Sequence, residues 1–145
     1  MNGDNNVHIQ QSHKKNTSDE GGVAWDHTHF AALPVAKTEN DPIQLMEVPS
    51  FVSLAHELQH VKNYLSKMPE MLSKLPNGEM YDKRSEESAM LMENYVRQEH
   101  NLPLRSYYLQ TNMNRVYWGP ENSKAPMPVP KSENTIDFHI YYNID

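Results

Sequence analysis

Hydrophobic positions recur in two rhythms along this chain. Near the start, Val7-His8-Ile9-Gln10 alternates apolar and polar, and Val23 to Phe30 alternates again, with Val23, Trp25, His27 and His29 on one side. Period-two alternation predicts strands. The polar, turn-rich run KKNTSDEGG (14–22) between them makes strand, loop, strand the expectation, with a hairpin as the simplest pairing. From Phe51 the rhythm changes: Phe51, Leu54, Ala55, Leu58, Val61 and Leu65 recur at spacings of three and four, the buried stripe of a helix over 50–67 that starts at Pro49-Ser50. Residues 69–84, with two prolines and Asn77-Gly78, predict a loop. A second helix over 85–100 stops before Leu102-Pro103. The proline-rich run 119–133 predicts an irregular surface wrap, and Ile136 to Tyr142 alternates as a last strand. Strands followed by two helices give an α+β chain, read as one domain over 1–145 with residues 1–6 frayed.

The first helix carries the chemistry. His56-Glu57-x-x-His60 places two imidazoles about one turn apart, so both can reach one point in space, and neutral imidazole is a good zinc ligand. Glu57 then lies beside the metal, where it can take a proton from a water whose pKa the ion has lowered and pass it to a leaving amine. The spacing suits peptide hydrolysis. A catalytic zinc needs a third protein ligand, and the second helix offers Glu86-Glu87, one to bind the ion and its neighbour to orient a histidine, with Glu93 as a weaker candidate. Downstream, Arg105 and Tyr108 supply a guanidinium and a phenol able to stabilise negative charge on a carbonyl oxygen under attack.

Composition narrows the picture. The chain has no cysteine, so a disulfide framework and thiolate metal sites are excluded, and His, Asp and Glu are left as ligands. The formal net charge is -6 and the basic residues are scattered, which argues against nucleic acid as a partner. No apolar run reaches the ~20 residues of a membrane span, and MNGDNNVHIQ lacks the apolar stretch of a signal peptide, so a soluble monomer exported by another route is expected. Hydrophobic content of 37% with ten prolines points to long loops around a small core. His27 and His29 are expected to face substrate or solvent rather than bind metal, and His8, His13, His100 and His139 to serve at the surface or in packing. The methionines at 68, 71, 80, 90 and 92 read as adaptable filling around a polar cleft.

Together, LAHELQHV and SEESAMLMENYVRQEHNLPLRSYY resemble the M91 family of zinc metallopeptidases, bacterial effector proteases, and more distantly the clostridial neurotoxin light chains. The likeness covers residues 50–108. It implies a zincin-like fold in which a small sheet accompanies an HExxH helix and a second helix bearing the third ligand. By the same resemblance His56, His60 and Glu87 bind Zn2+, Glu86 stands behind them or replaces Glu87, Glu57 is the base, and Arg105 and Tyr108 form the transition-state pair, with Tyr107 beside Tyr108 as a competitor. The implied function is a gluzincin-type endopeptidase, delivered by a type III or type VI-like route and active on a protein in the cytoplasm of a target cell. Two other readings use the same residues: a non-catalytic binding module whose zinc is closed by a fourth ligand such as His27 or His29, and a zinc hydrolase acting on something other than peptides.

Overall fold

The computed structural model describes residues 6–12, 16–19, 21–28, 32–38, 40–74, 78–108, 110–112, 115–117 and 124–128. They form an α+β arrangement of two helices and several small sheets. In the first sheet β1 (His8–Gln11) runs parallel to β3 (Gly22–Trp25), and β2 (Thr17–Asp19) lies antiparallel on the other side of β3. The expected hairpin between the two alternating segments is therefore not the one formed. Within the polar run the Asp19 carboxylate accepts from the backbone N–H groups of Gly21 and Gly22, which closes a tight turn and folds β2, not β1, back onto β3. Gly22 has φ 154°, and a Cβ there would stand 2.0 Å from the His8 carbonyl oxygen, so β1 can approach only a glycine. The strand also ends earlier than alternation suggests: Asp26 accepts from the Thr28 backbone and hydroxyl and turns the chain after Trp25.

A second sheet has the order β5-β4-β8, with β4 (Ala32–Ala36) between β5 (Gln44–Glu47) and β8 (Leu104–Arg105), all antiparallel. Residues 69–84 are not simply a loop: β6 (Leu72–Lys74) and β7 (Met80–Asp82) pair as a hairpin. A further antiparallel pair joins β9 (Gln110–Asn112) and β10 (Arg115–Tyr117). The strand expected at 136–142, and His13, His29 and His139, lie outside the described residues.

Helix α1 (Ser50–Leu65) and helix α2 (Lys83–Glu99) pack on each other. Trp25 donates its indole N–H to the Ser50 carbonyl at 3.0 Å, which ties the first sheet to the start of α1. Asp82 caps α2 by accepting from the Ser85 N–H. This cap starts the helix two residues before the position the pattern suggested. The core brings together Val48, Val52, Ala55, Met92 and Val96, with Leu33 and Leu102 against them. On α1 the buried positions are Val52, Ala55, His60, Val61 and Asn63. The predicted stripe is thus rotated: Phe51 is exposed and Leu54 and Leu58 are only half-buried, because the face toward α2 is partly polar. Among the described residues no helix is long and apolar enough to cross a membrane.

Candidate metal centre

Successive turns of α1 point His56 and His60 toward the first turn of α2. Their rings meet edge to face, centroids 4.7 Å apart, with the two Nε2 atoms separated by 2.9 Å. Glu86 faces them from α2: Oε2 lies 3.4 Å from His56 Nε2 and Oε1 lies 3.4 Å from His60 Nε2. These three side chains form a group that can hold a metal ion, and no fourth His, Asp or Glu among the described residues joins it. Glu87, the residue that the resemblance made the third ligand, points elsewhere and pairs with Lys83 at 3.5 Å on the helix surface.

The outer nitrogens of both imidazoles are held. His56 Nδ1 donates to Glu93 Oε1 at 2.6 Å, and His60 Nδ1 is 2.8 Å from the Ser85 hydroxyl. Glu93 sits two helical turns beyond Glu86, at a spacing of seven that returns it to the same face of α2. Its side chain is 2% exposed and also takes the guanidinium of Arg105, with Arg97 Nε 3.8 Å from its other oxygen. Burial alone would raise the Glu93 carboxyl; the charge of Arg105 and the contact with His56 outweigh it and hold the carboxyl at about 2. For His56, burial works downward, and the neighbouring carboxylates of Glu86 and Glu93 overcome it and raise the imidazole to about 9. Burial likewise opposes ionisation of Glu86, yet the two histidines hold it well below the usual carboxylate range.

The donor set fits a zinc-sized cation. Bonds of about 2.0–2.2 Å in a tetrahedral site put donors roughly 3.3 Å apart, close to the 2.9, 3.4 and 3.4 Å measured between these three groups. Glu86 Oε2 is buried with no hydrogen-bond partner among the described residues, an arrangement that a cation would relieve. With Nδ1 of His56 turned to a carboxylate, Nε2 is the nitrogen aimed inward, the orientation that a carboxylate behind a metal-binding histidine enforces.

A cleft of about 780 Å³ opens over the group. Glu57 lines it, and its Oε2 accepts from the Ser18 hydroxyl on β2 at 2.7 Å. Tyr108 lines it too. Its ring stacks on Tyr81 with centroids 5.1 Å apart and lies 5.8 Å from the Arg105 guanidinium carbon. Burial, together with the charge of Glu86, pushes the Tyr108 phenol up to about 12. Tyr107 instead bridges to Lys124 through its backbone. Arg105 reaches the cleft floor, but it is committed there: Nη1 goes to Glu93 and Nε donates to the Tyr107 carbonyl, while Asn94 grips its backbone from α2. His27 is exposed in the turn after β3.

The structure thus unites His56, His60 and Glu86 with Glu57 and Tyr108 around one cleft, and leaves Glu87 outside it. Glu93, Ser85 and Ser18 complete the site as residues to which sequence reasoning gave little or no weight. The spacing of seven from Glu86 was a usable signal for Glu93; no local pattern points to Ser18. No protein-family model, curated protein or solved structure matches the chain.

Proposed function

We propose that this protein is a zinc-dependent endopeptidase of gluzincin type, an M91-like bacterial effector acting on a protein of a target cell. The observation that supports the reading best is the meeting of His56 and His60 with Glu86 of the second helix beneath a cleft that Glu57 also lines. Zinc, when bound, supplies Lewis acidity, so that an adjacent water is more readily deprotonated and a substrate carbonyl more readily attacked. His56, His60 and Glu86 would hold it.

The chain's own groups do the rest. Glu57 takes the proton of the attacking water and returns it to the leaving amine, with Oε2 anchored by Ser18 and Oε1 left for the transfer. Tyr108 keeps its phenolic proton at neutral pH and donates it as a hydrogen bond to the oxygen on which charge develops. Arg105 contributes through Glu93: it keeps that carboxylate ionised, and the carboxylate fixes the His56 ring. The support on the His56 side is thus a buried chain of charge from Arg105 to the imidazole.

The test is elemental analysis of the purified protein combined with cleavage of unfolded casein and of a mixed peptide library. About one zinc per chain is expected, and Glu57→Gln should keep the metal and lose roughly 10²-fold or more in rate. Cleavage by Glu57→Gln at the wild-type rate, or a wild type that takes up no zinc, overturns the reading.

A further inference from the structure

The two histidines are supported in different ways. Behind His56 stands a buried carboxylate; behind His60 stands a hydroxyl, Ser85 Oγ, 2.8 Å from Nδ1. That hydroxyl is itself fixed. Asn63, buried on α1 one turn beyond His60, donates its amide to Ser85 Oγ at 3.1 Å and to Ser88 Oγ at 2.7 Å, and its carbonyl accepts from Gln59 at 2.9 Å. Ser88 donates in turn to the Ser85 carbonyl at 2.8 Å, and Asp82 caps the Ser85 N–H. Ser85 is therefore held through its amide, carbonyl and hydroxyl, and the residue that follows it in the chain is Glu86.

We propose that Ser85, locked by Asn63, is the positioning residue of the metal site: one turn of α2 orients the His60 imidazole through Ser85 and delivers the carboxylate of Glu86 to the same ion. The proposal rests on the metal-binding reading of the group. Its physical basis is orientation. A lone imidazole can rotate about its outer bonds, and an ion bound through Nε2 keeps its geometry only if Nδ1 has a fixed partner. Here the partner is neutral, so it orients the ring without adding a second negative charge to the one Glu93 supplies. The link also runs between helices. Asn63 stands on the histidine helix and Ser85 on the glutamate helix, so the same contacts set the distance across which His60 and Glu86 must meet.

The experiment measures Zn2+ affinity by competition with a chromogenic chelator, alongside thermal melting of the metal-free proteins. Ser85→Ala is expected to weaken zinc binding by about 10- to 100-fold, whereas Ser85→Thr, which restores the hydroxyl, recovers most of it. Ser88→Ala removes a hydroxyl from the same network without touching His60 and is the control; it should leave the affinity within about twofold of wild type. Affinity unchanged in Ser85→Ala, or lowered equally in Ser88→Ala, overturns the assignment, the latter because helix packing would then account for the loss. Because wild-type affinity is measured in the same series, failure of the chain to bind zinc at all is seen separately and counts against the metal reading.

Discussion

Glu86 and Glu87 differ by about 100° of rotation around α2, and that angle decides which of them meets the histidines. The choice depends on where the helix starts and how it rolls against α1, neither of which is written into the pair itself. Replacing Glu86 with Ala should abolish stoichiometric zinc. Replacing Glu87 with Ala removes only a surface pair with Lys83, so zinc content should stay at the wild-type level and stability should change by less than about 0.5 kcal/mol. The reverse outcome, zinc lost with Glu87 and kept without Glu86, would return the third ligand to the position the resemblance gave it. At the same scale, Glu93→Gln leaves Arg105 and Arg97 buried beside an uncharged group. Breaking a buried charge pair costs about 3–5 kcal/mol, and urea unfolding should register a loss of that order in the metal-free protein. A loss under about 1 kcal/mol would mean that water or rearrangement reaches the guanidinium groups.

At the scale of elements, what could be read from the sequence depended on whether the governing contact was local. The HExxH helix was legible because both the pattern and the reach of its histidines follow from helical spacing alone. Of the apolar stripe only Ala55 and Val61 are buried as the pattern suggests, and its orientation was not legible: Asn63 and His60 take the buried face that hydrophobicity would have given to Phe51 and Leu54. The first sheet pairs differently from the expected hairpin because alternation marks strands without naming partners, and a short polar strand such as β2 does not alternate visibly. Its formation depends on the Asp19 turn and on Gly22. Gly22→Ala should therefore push β1 off β3, at a cost above about 1 kcal/mol for an alanine forced to positive φ. Hydrogen exchange supplies the check: backbone amides of residues 8–11 should lose protection in the variant while those of α1 and α2 keep theirs. Equal protection across β1 would show that the strand is not held by this close approach.

For the molecule as a whole, the buried charges of the site tie folding to pH and, on the proposed zinc reading, to metal as well. His56 is raised from 6.5 to about 9 in the metal-free protein, so its contribution to stability is complete below pH 6.5 and is lost as pH climbs through 9. Glu93 is lowered from 4.5 to about 2, so its contribution is complete above pH 4.5 and is lost as pH falls toward 2. The metal-free protein should then melt highest between about pH 4.5 and 6.5 and decline on both sides. Zinc bound as proposed should change one limb only. On that reading His56 Nε2 gives up its proton to become a ligand, so binding at pH 7 should release protons, affinity should rise with pH up to about 9, and the alkaline decline should give way to a plateau. At free zinc one hundred times the dissociation constant the stabilisation is about 2.7 kcal/mol, which for a chain of this size raises Tm by roughly 5 to 10 °C. Melting curves from pH 3 to 10 in EDTA and in excess zinc test both limbs in one series. Metal-free stability that rises between pH 7 and 9 would show that His56 is neutral in the fold, and the buried carboxylates around it would then need another counter-charge.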